Sequence, residues 1–106
     1  MKVNVHAVNF NVDKKLVSFI EERLTKLEKF YDKVVASDAF LKVENTSEKE
    51  NKTVELKINV PGDEFVVKKT SKSFEEAADL AADSLERLLV KRKEKAAPEK
   101  EEREFT

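Results

Sequence analysis

Lysine and arginine are the side chains in this sequence whose types and spacing can do chemistry. Between Glu75 and Glu86 there are five acids and no base; between Arg87 and Lys95 there are five bases and one acid. Basic residues also recur earlier, at Lys15, Arg23, Lys26, Lys29 and Lys33. Ammonium and guanidinium groups in rows bind phosphate, and their release of counterions makes such binding strongly salt-dependent. Catalytic chemistry has far less to work with. The chain has one His, no Cys and a single Gly. That excludes thiolate nucleophiles, Cys-ligated zinc and Gly-rich phosphate loops, and no His/carboxylate cluster has ligand spacing. The sequence therefore reads as a binding protein with no catalytic residues, no metal and no cofactor. His6 reads as a surface or packing residue of a strand.

The elements that must position these bases follow from periodicity. One domain is expected for 106 residues. Residues 2–8 alternate, with Val3, Val5 and Ala7 on one face and Asn4, His6 and Val8 on the other. Asp13 reads as an N-cap, with Val12 and Val17 as a hydrophobic staple. A helix over 14–33 follows, with the apolar stripe Leu16, Ile20, Leu24, Leu27 and Tyr31. Residues 37–45 read as a second strand with Ala39, Leu41 and Val43 facing the core. A polar loop leads to a third strand, Thr53 to Val60, with Val54, Leu56, Ile58 and Val60 on one face. Pro61-Gly62 predicts a type II turn into a fourth strand, residues 64–70. Ser73 to Glu76 is a capping box, and a second helix runs to about Lys95 with the stripe Phe74, Ala77, Ala78, Ala81, Leu85 and Leu88. Residues 96–106 form a charged tail that reads as disordered.

The order β-α-β-β-β-α predicts an α+β, two-layer fold. Its four-stranded mixed sheet has strands 1 and 2 parallel and the rest antiparallel, with both helices on one face. On helical wheels, Glu21, Glu28 and Asp32 fall on one flank of the first helix. Lys15, Arg23, Lys26, Lys29 and Lys33 fall on its outer surface and other flank. On the second helix, Arg87, Lys91 and Lys95 repeat at four-residue spacing, Lys93 lies on the far flank, and Arg92 projects toward the core. A base cannot be buried there unpaired, so the helix must overhang the sheet or fray at its end. Lys68, Lys69 and Lys72 add charge between the fourth strand and the second helix. Basic C-terminal halves also suit the helix dipole, so charge alone does not separate phosphate binding from helix chemistry. Base stacking on the sheet is a poorer fit, because only Phe40 and Phe65 are on offer. The usual double-stranded-RNA mode is opposed by Glu75 and Glu76 at the start of the second helix.

Several segments together resemble one family. Lys26-Leu27-Glu28-Lys29-Phe30-Tyr31-Asp32-Lys33 resembles the end of the first helix of ribosome hibernation promoting factors, also called ribosome-associated inhibitors. Leu41-Lys42-Val43-Glu44 resembles their second strand. Asp83-Ser84-Leu85-Glu86-Arg87 and Lys91-Arg92-Lys93-Glu94-Lys95 resemble their second helix. The resemblance spans residues 2–95 and implies a domain over 1–95 with a tail at 96–106. It implies a cytoplasmic, non-enzymatic inhibitor of translation that binds the small ribosomal subunit and its 16S rRNA in the mRNA and tRNA channel, under stress or in stationary phase. It further implies rRNA contacts by Arg23, Lys26, Lys29, Lys33, Arg87, Lys91, Arg92, Lys93 and Lys95. Ser84 stands where Lys is common in the family, and Glu86 adds an acid beside Arg87; both weaken that footprint. A chain ending at Thr106 resembles the short forms, with no C-terminal dimerisation domain, and is expected to be a monomer off the ribosome. No small-molecule substrate and no membrane association are expected. A protein-interaction module using the acidic flank, and a generic double-stranded-RNA binder, are the alternatives.

Overall fold

The computed structural model describes residues 2–8, 10–31, 33–44, 47 and 49–96, with side chains as far as Arg92. The elements are β1 (Lys2–Ala7), α1 (Lys14–Lys26), β2 (Ala36–Val43), β3 (Lys52–Val60), β4 (Asp63–Ser71) and α2 (Phe74–Ala96). The strands form one sheet in the order β1-β2-β3-β4. β1 and β2 are parallel, whereas β2–β3 and β3–β4 are antiparallel. The expected α+β, two-layer architecture is the one observed.

One sheet face is apolar and the other is not, so both helices pack on the same side. Val54, Leu56, Ile58 and Val60 of β3 are buried beside Ala39 and Leu41 of β2. From the helices, Leu16, Ile20 and Leu24 meet Ala77, Ala78, Ala81, Ala82, Leu85 and Leu89 in the same core. Four alanines on α2 leave little side chain between its backbone and the sheet, so the helix can sit close. Leu89 takes the fully buried place that the stripe assigned to Leu88, which is half-buried beside it. Ser37 fills a core position of β2, and its hydroxyl has no hydrogen-bond partner among the described residues.

The helix caps match the sequence signals. Asp13 accepts a hydrogen bond from the Lys15 amide at 2.9 Å. The Ser73 hydroxyl accepts from the Glu76 amide at 3.1 Å. The Glu76 carboxylate accepts from the Ser71 hydroxyl, not from the Ser73 amide that a full capping box would use.

Four expectations need correction. The first helix does not continue to residue 33. It ends at Lys26 and tightens into a 3₁₀ turn over Leu27–Lys29. Val34 must reach the core, and the Val35 amide must bond the Asn59 carbonyl at 2.8 Å to start β2. The chain therefore leaves the helix early, and Lys33 lies beyond it. Val43 does not face the core but is 43% exposed. Its neighbour across the ladder is Lys52, so the apolar row of β2 stops at Leu41. Phe65 is not on the open sheet face; it packs against the core beneath the helices. Ala96 still belongs to α2, so the tail expected at 96–106 loses its first residue to the helix; the rest of it, 97–106, lies outside the described residues.

Gly62 has φ of 79°, as the second central residue of a type II turn requires. A Cβ added there meets nothing within 4 Å, so substitution strains only the backbone. Gly62→Ala is expected to cost about 1 kcal/mol in urea denaturation, and Gly62→Asn less, because Asn tolerates the left-handed region. An alanine variant as stable as the parent would show that the turn relaxes to another type.

Candidate nucleic-acid interface

The connections fix the direction of both helices. α1 returns between parallel strands, so it runs against β1. α2 follows β4 after two residues, and its Arg92 contacts Asp63 at the start of β4, so it runs against β4. β4 points the same way as β1, since two antiparallel steps separate it from β2. The two helices are therefore parallel, and both C-terminal ends lie at one end of the domain. Arg23 of α1 meets Asp79 and Asp83 of α2, which sets the stagger. α1 ends level with the middle of α2, and the basic half of α2 extends past it.

Two of the basic residues expected at a phosphate surface are tied within the protein. Arg23 donates from Nε to Asp79 at 2.8 Å and from Nη2 to Asp83 at 3.1 Å. Nη2 also lies 3.5 Å from the Asp79 carbonyl oxygen. Arg92 donates from Nη1 to Asp63 at 2.6 Å and from Nη2 to the Pro61 carbonyl at 3.1 Å. Arg92 is thus not an unpaired base in the core; it sits at the end of the sheet, where the β3–β4 turn supplies its partners. The acids of α2 are not only capping and dipole groups, since two of them clasp α1. Asp79 and Asp83 stand four residues apart on one face of α2, a spacing that could have flagged them.

The remaining bases point outward. Lys26, Lys29, Lys33, Arg87 and Lys91 are exposed and, among the described residues, have no ion-pair partner. Lys26 ends α1, Lys29 ends the 3₁₀ turn that follows it, Lys33 lies four residues farther on, and Arg87 and Lys91 are one turn apart on α2. The side chains of Lys93 and Lys95 lie outside the described residues. Ser84 and Glu86 are half-buried on α2. Lys68, Lys69 and Lys72 do not join this group. They sit where β4 runs into the start of α2, at the opposite end of the domain. Among the described residues, no group of three or more His, Cys, Asp or Glu is placed to hold a metal ion. Within them, no helix is long and apolar enough to cross a membrane.

The open face of the sheet is occupied by its own pairs. His6 stacks on Phe40 with ring centroids 4.8 Å apart and bonds Asp38 at 3.2 Å. Thr53 and Thr70 share a hydrogen bond of 2.9 Å across β3 and β4. Lys57 pairs with Glu64 at 3.0 Å. The hydrogen bond from Lys57 to Glu64, and then the charge of Glu64, raise the Lys57 pKa above its ordinary 10.5; Asp38 and Glu55 add to the rise.

Two measurements test these electrostatics. A double-mutant cycle between Arg23→Ala and the pair Asp79→Ala/Asp83→Ala, read by urea denaturation, should give a coupling of about 0.5–1 kcal/mol that shrinks with added salt. Zero coupling would reduce the clasp to coincidence. Because the folded Lys57 pKa is raised, its pair contributes fully below the unfolded value and is lost as pH rises through the folded value. An NMR titration should find Lys57 deprotonating at higher pH than in a Glu64→Gln variant. Identical titrations would show that the pair does not persist in solution.

Residues 3–97 match the family model described as Sigma 54 modulation protein / S30EA ribosomal protein. The ribosome hibernation promoting factor of Azotobacter vinelandii is 32% identical over 95 residues, covering 90% of this chain and 85% of its own. That of Pseudomonas putida is 33% identical over 95 residues, covering 90% and 89%. Among solved structures, the N-terminal domain of Thermus thermophilus Protein Y aligns with a TM-score of 0.75 at 19% identity, covering 87% of this chain and 99% of that one. A ribosomal subunit interface protein from Coxiella burnetii aligns at 0.77 and 19% identity, covering 88% and 98%. At that identity the two structures speak for the fold alone. The match over nearly the whole folded region, with relatives at a third identity, makes this chain a member of the Sigma 54 modulation protein / S30EA ribosomal protein family, to which ribosome hibernation promoting factors belong.

Proposed function

We propose that this chain is a non-enzymatic ribosome hibernation factor of the cytoplasm. In this reading it binds the small ribosomal subunit through 16S rRNA in the mRNA and tRNA channel and stops translation under stress or in stationary phase. The observation that carries it is the set of exposed, unpaired bases at the shared C-terminal end of two parallel helices. Family membership and the names of the relatives support it. Residues 1–96 are the binding unit and 97–106 an appended tail.

The bases divide into two roles. Lys26, Lys29, Lys33, Arg87 and Lys91 meet phosphates directly, and Lys93 and Lys95 continue the row along the sequence. Arg23 and Arg92 chiefly position elements, although each guanidinium keeps donors beyond those already used. Arg23 locks the helices together, and Arg92 locks the end of α2 to the β3–β4 turn. A duplex-RNA reading is disfavoured by Glu75 and Glu76 at the start of α2. The protein-interaction alternative rests on the acidic flank Glu21, Glu28 and Asp32 of the first helix, which the Arg23 clasp does not involve.

Co-sedimentation with small subunits is the direct test. The wild-type chain should travel with the subunit at low salt and be released as salt rises, with a log–log slope of about −4 for roughly five phosphate contacts. Lys29→Glu/Arg87→Glu/Lys91→Glu should lower affinity by about a hundredfold or more while leaving the urea midpoint nearly unchanged. Wild-type protein that stays at the top of a low-salt gradient, or a triple variant that binds normally, would refute the proposed interface.

A further inference from the structure

β4 is an outer strand of the sheet, and among the described residues nothing pairs with its free edge. Its hydrogen-bonding phase can be read from its neighbours. The Asn59 carbonyl accepts from the Val35 amide, and the Asn51 carbonyl from the Glu44 amide. Odd-numbered residues along β3 therefore bond toward β2, and even-numbered ones toward β4. Val54, Leu56 and Ile58 face Lys69, Val67 and Phe65 in the ladder, so those three bond inward. Glu64, Val66, Lys68 and Thr70 are left with backbone N–H and C=O groups pointing out. The Glu64 amide takes the Asp63 carboxylate as its acceptor at 2.7 Å, as an outward donor would.

Edge strands are usually defended by Pro, a bulge or like charges that repel a second copy. Here the register with β3 runs unbroken from Ser71 to Asp63, and the strand contains no Pro. Its charges are sorted rather than uniform. Asp63 and Glu64 open the strand, Lys68 and Lys69 close it, and Val66 in the middle is 49% exposed. Turned end for end about Val66, the strand complements itself. Glu64, which also pairs with Lys57 of its own chain, then lies opposite Lys68 of the second copy on the open face, twice by symmetry. Asp63, held by Arg92, comes opposite Lys69, and Phe65 comes opposite Val67 on the helix side. The same alignment sets the outward backbone groups of Glu64, Val66 and Lys68 against those of Lys68, Val66 and Glu64. A slip of one residue would oppose outward-facing to inward-facing positions and break every bond. A slip of two keeps the bonds but sets Lys68 against Val66 and Glu64 against Thr70. Hydrogen-bond phase and charge thus select one register.

We propose that two copies of this chain pair antiparallel through their β4 edges about Val66, forming an isologous dimer with a continuous sheet. This departs from the expectation of a monomer off the ribosome and stands independently of the proposed rRNA contacts. One strand edge is a small interface, so the dissociation constant should be weak, roughly 10⁻⁴ M.

Sedimentation equilibrium of the full chain from micromolar to millimolar concentration tests the proposal, beside amide exchange by NMR. The expected result is a concentration-dependent dimer, with the Glu64, Val66 and Lys68 amides gaining protection as it forms. Glu64→Lys should weaken it roughly tenfold or more, and Glu64→Lys/Lys68→Glu should restore it to within about twofold. Val66→Pro removes an outward donor and no bond to β3, so it should abolish the dimer in a chain that still folds by circular dichroism. A monomer throughout the range overturns the proposal. So does a dimer that survives Val66→Pro, which would lie on another surface. A dimer indifferent to both charge variants overturns the register about Val66. Protection of these amides only on adding a foreign extended peptide, without self-association, would make the edge a peptide site instead.

Discussion

Two helices lying on one sheet face and running the same way point their negative dipole ends toward one end of the domain. Antiparallel helices would offset one another; parallel ones do not. The arrangement follows from connectivity, because β1 and β2 are parallel and only two hairpin steps separate β2 from β4. Opposite charge must therefore collect at the common C-terminal end, and bases do collect there. The stagger of the helices serves the same end. α2 lies so that its acidic half runs beside the last turns of α1, and Arg23 sits between Asp79 and Asp83. The sorting of charge along α2 is thus partly a matter of what each half has as a neighbour.

That packing depends on small side chains. Ala77, Ala78, Ala81 and Ala82 are all buried, as is Ala39 beneath them in the sheet layer. With little side-chain bulk between helix and sheet, the large residues Leu24, Leu27, Leu85 and Leu89 can fill the space between the helices and the strands. A larger residue at Ala81 would lift α2 and strain the Arg23 and Arg92 contacts together. Arg23 and Arg92 anchor α2 at separate points along its length, one to the neighbouring helix and one to the β3–β4 turn. The direction in which the basic half of α2 projects is set by those two points.

Much of this was legible in the sequence, and the illegible part has physical causes. Strand and helix identities followed from periods of two and about 3.6, and every residue of the first helical stripe is buried. The end of α1 was hidden because Leu27 and Tyr31 are buried whether the backbone is α-helical or not, so the apolar spacing outlasts the helix. Val43 alternated correctly, but alternation carries no sign of where the covering layer stops. The partners of Arg23 and Arg92 lie 56 and 29 residues away, to Asp79 and Asp63. Such pairs depend on helix stagger and turn placement, which no local pattern encodes. A wheel could show that Arg92 faced the core, but it could not supply the carboxylate that meets it there.

The dipole requirement can be weighed against the bases present. Each helix end carries the equivalent of about half a negative charge, so two parallel C-termini call for about one positive charge between them. Lys26, Lys29, Lys33, Arg87 and Lys91 exceed that even with Glu28 and Glu86 set against them. The two arginines that pair within the protein account for the positions where geometry demanded a base. What remains is exposed lysine and one arginine, none of them in an ion pair among the described residues. Clustered like charge costs folding free energy through self-repulsion. A phosphate-bearing partner removes that cost on binding, whereas a merely solvated surface gains nothing from retaining it. The excess over the dipole requirement, rather than the presence of basic residues, is what favours a nucleic-acid contact at this end of the domain.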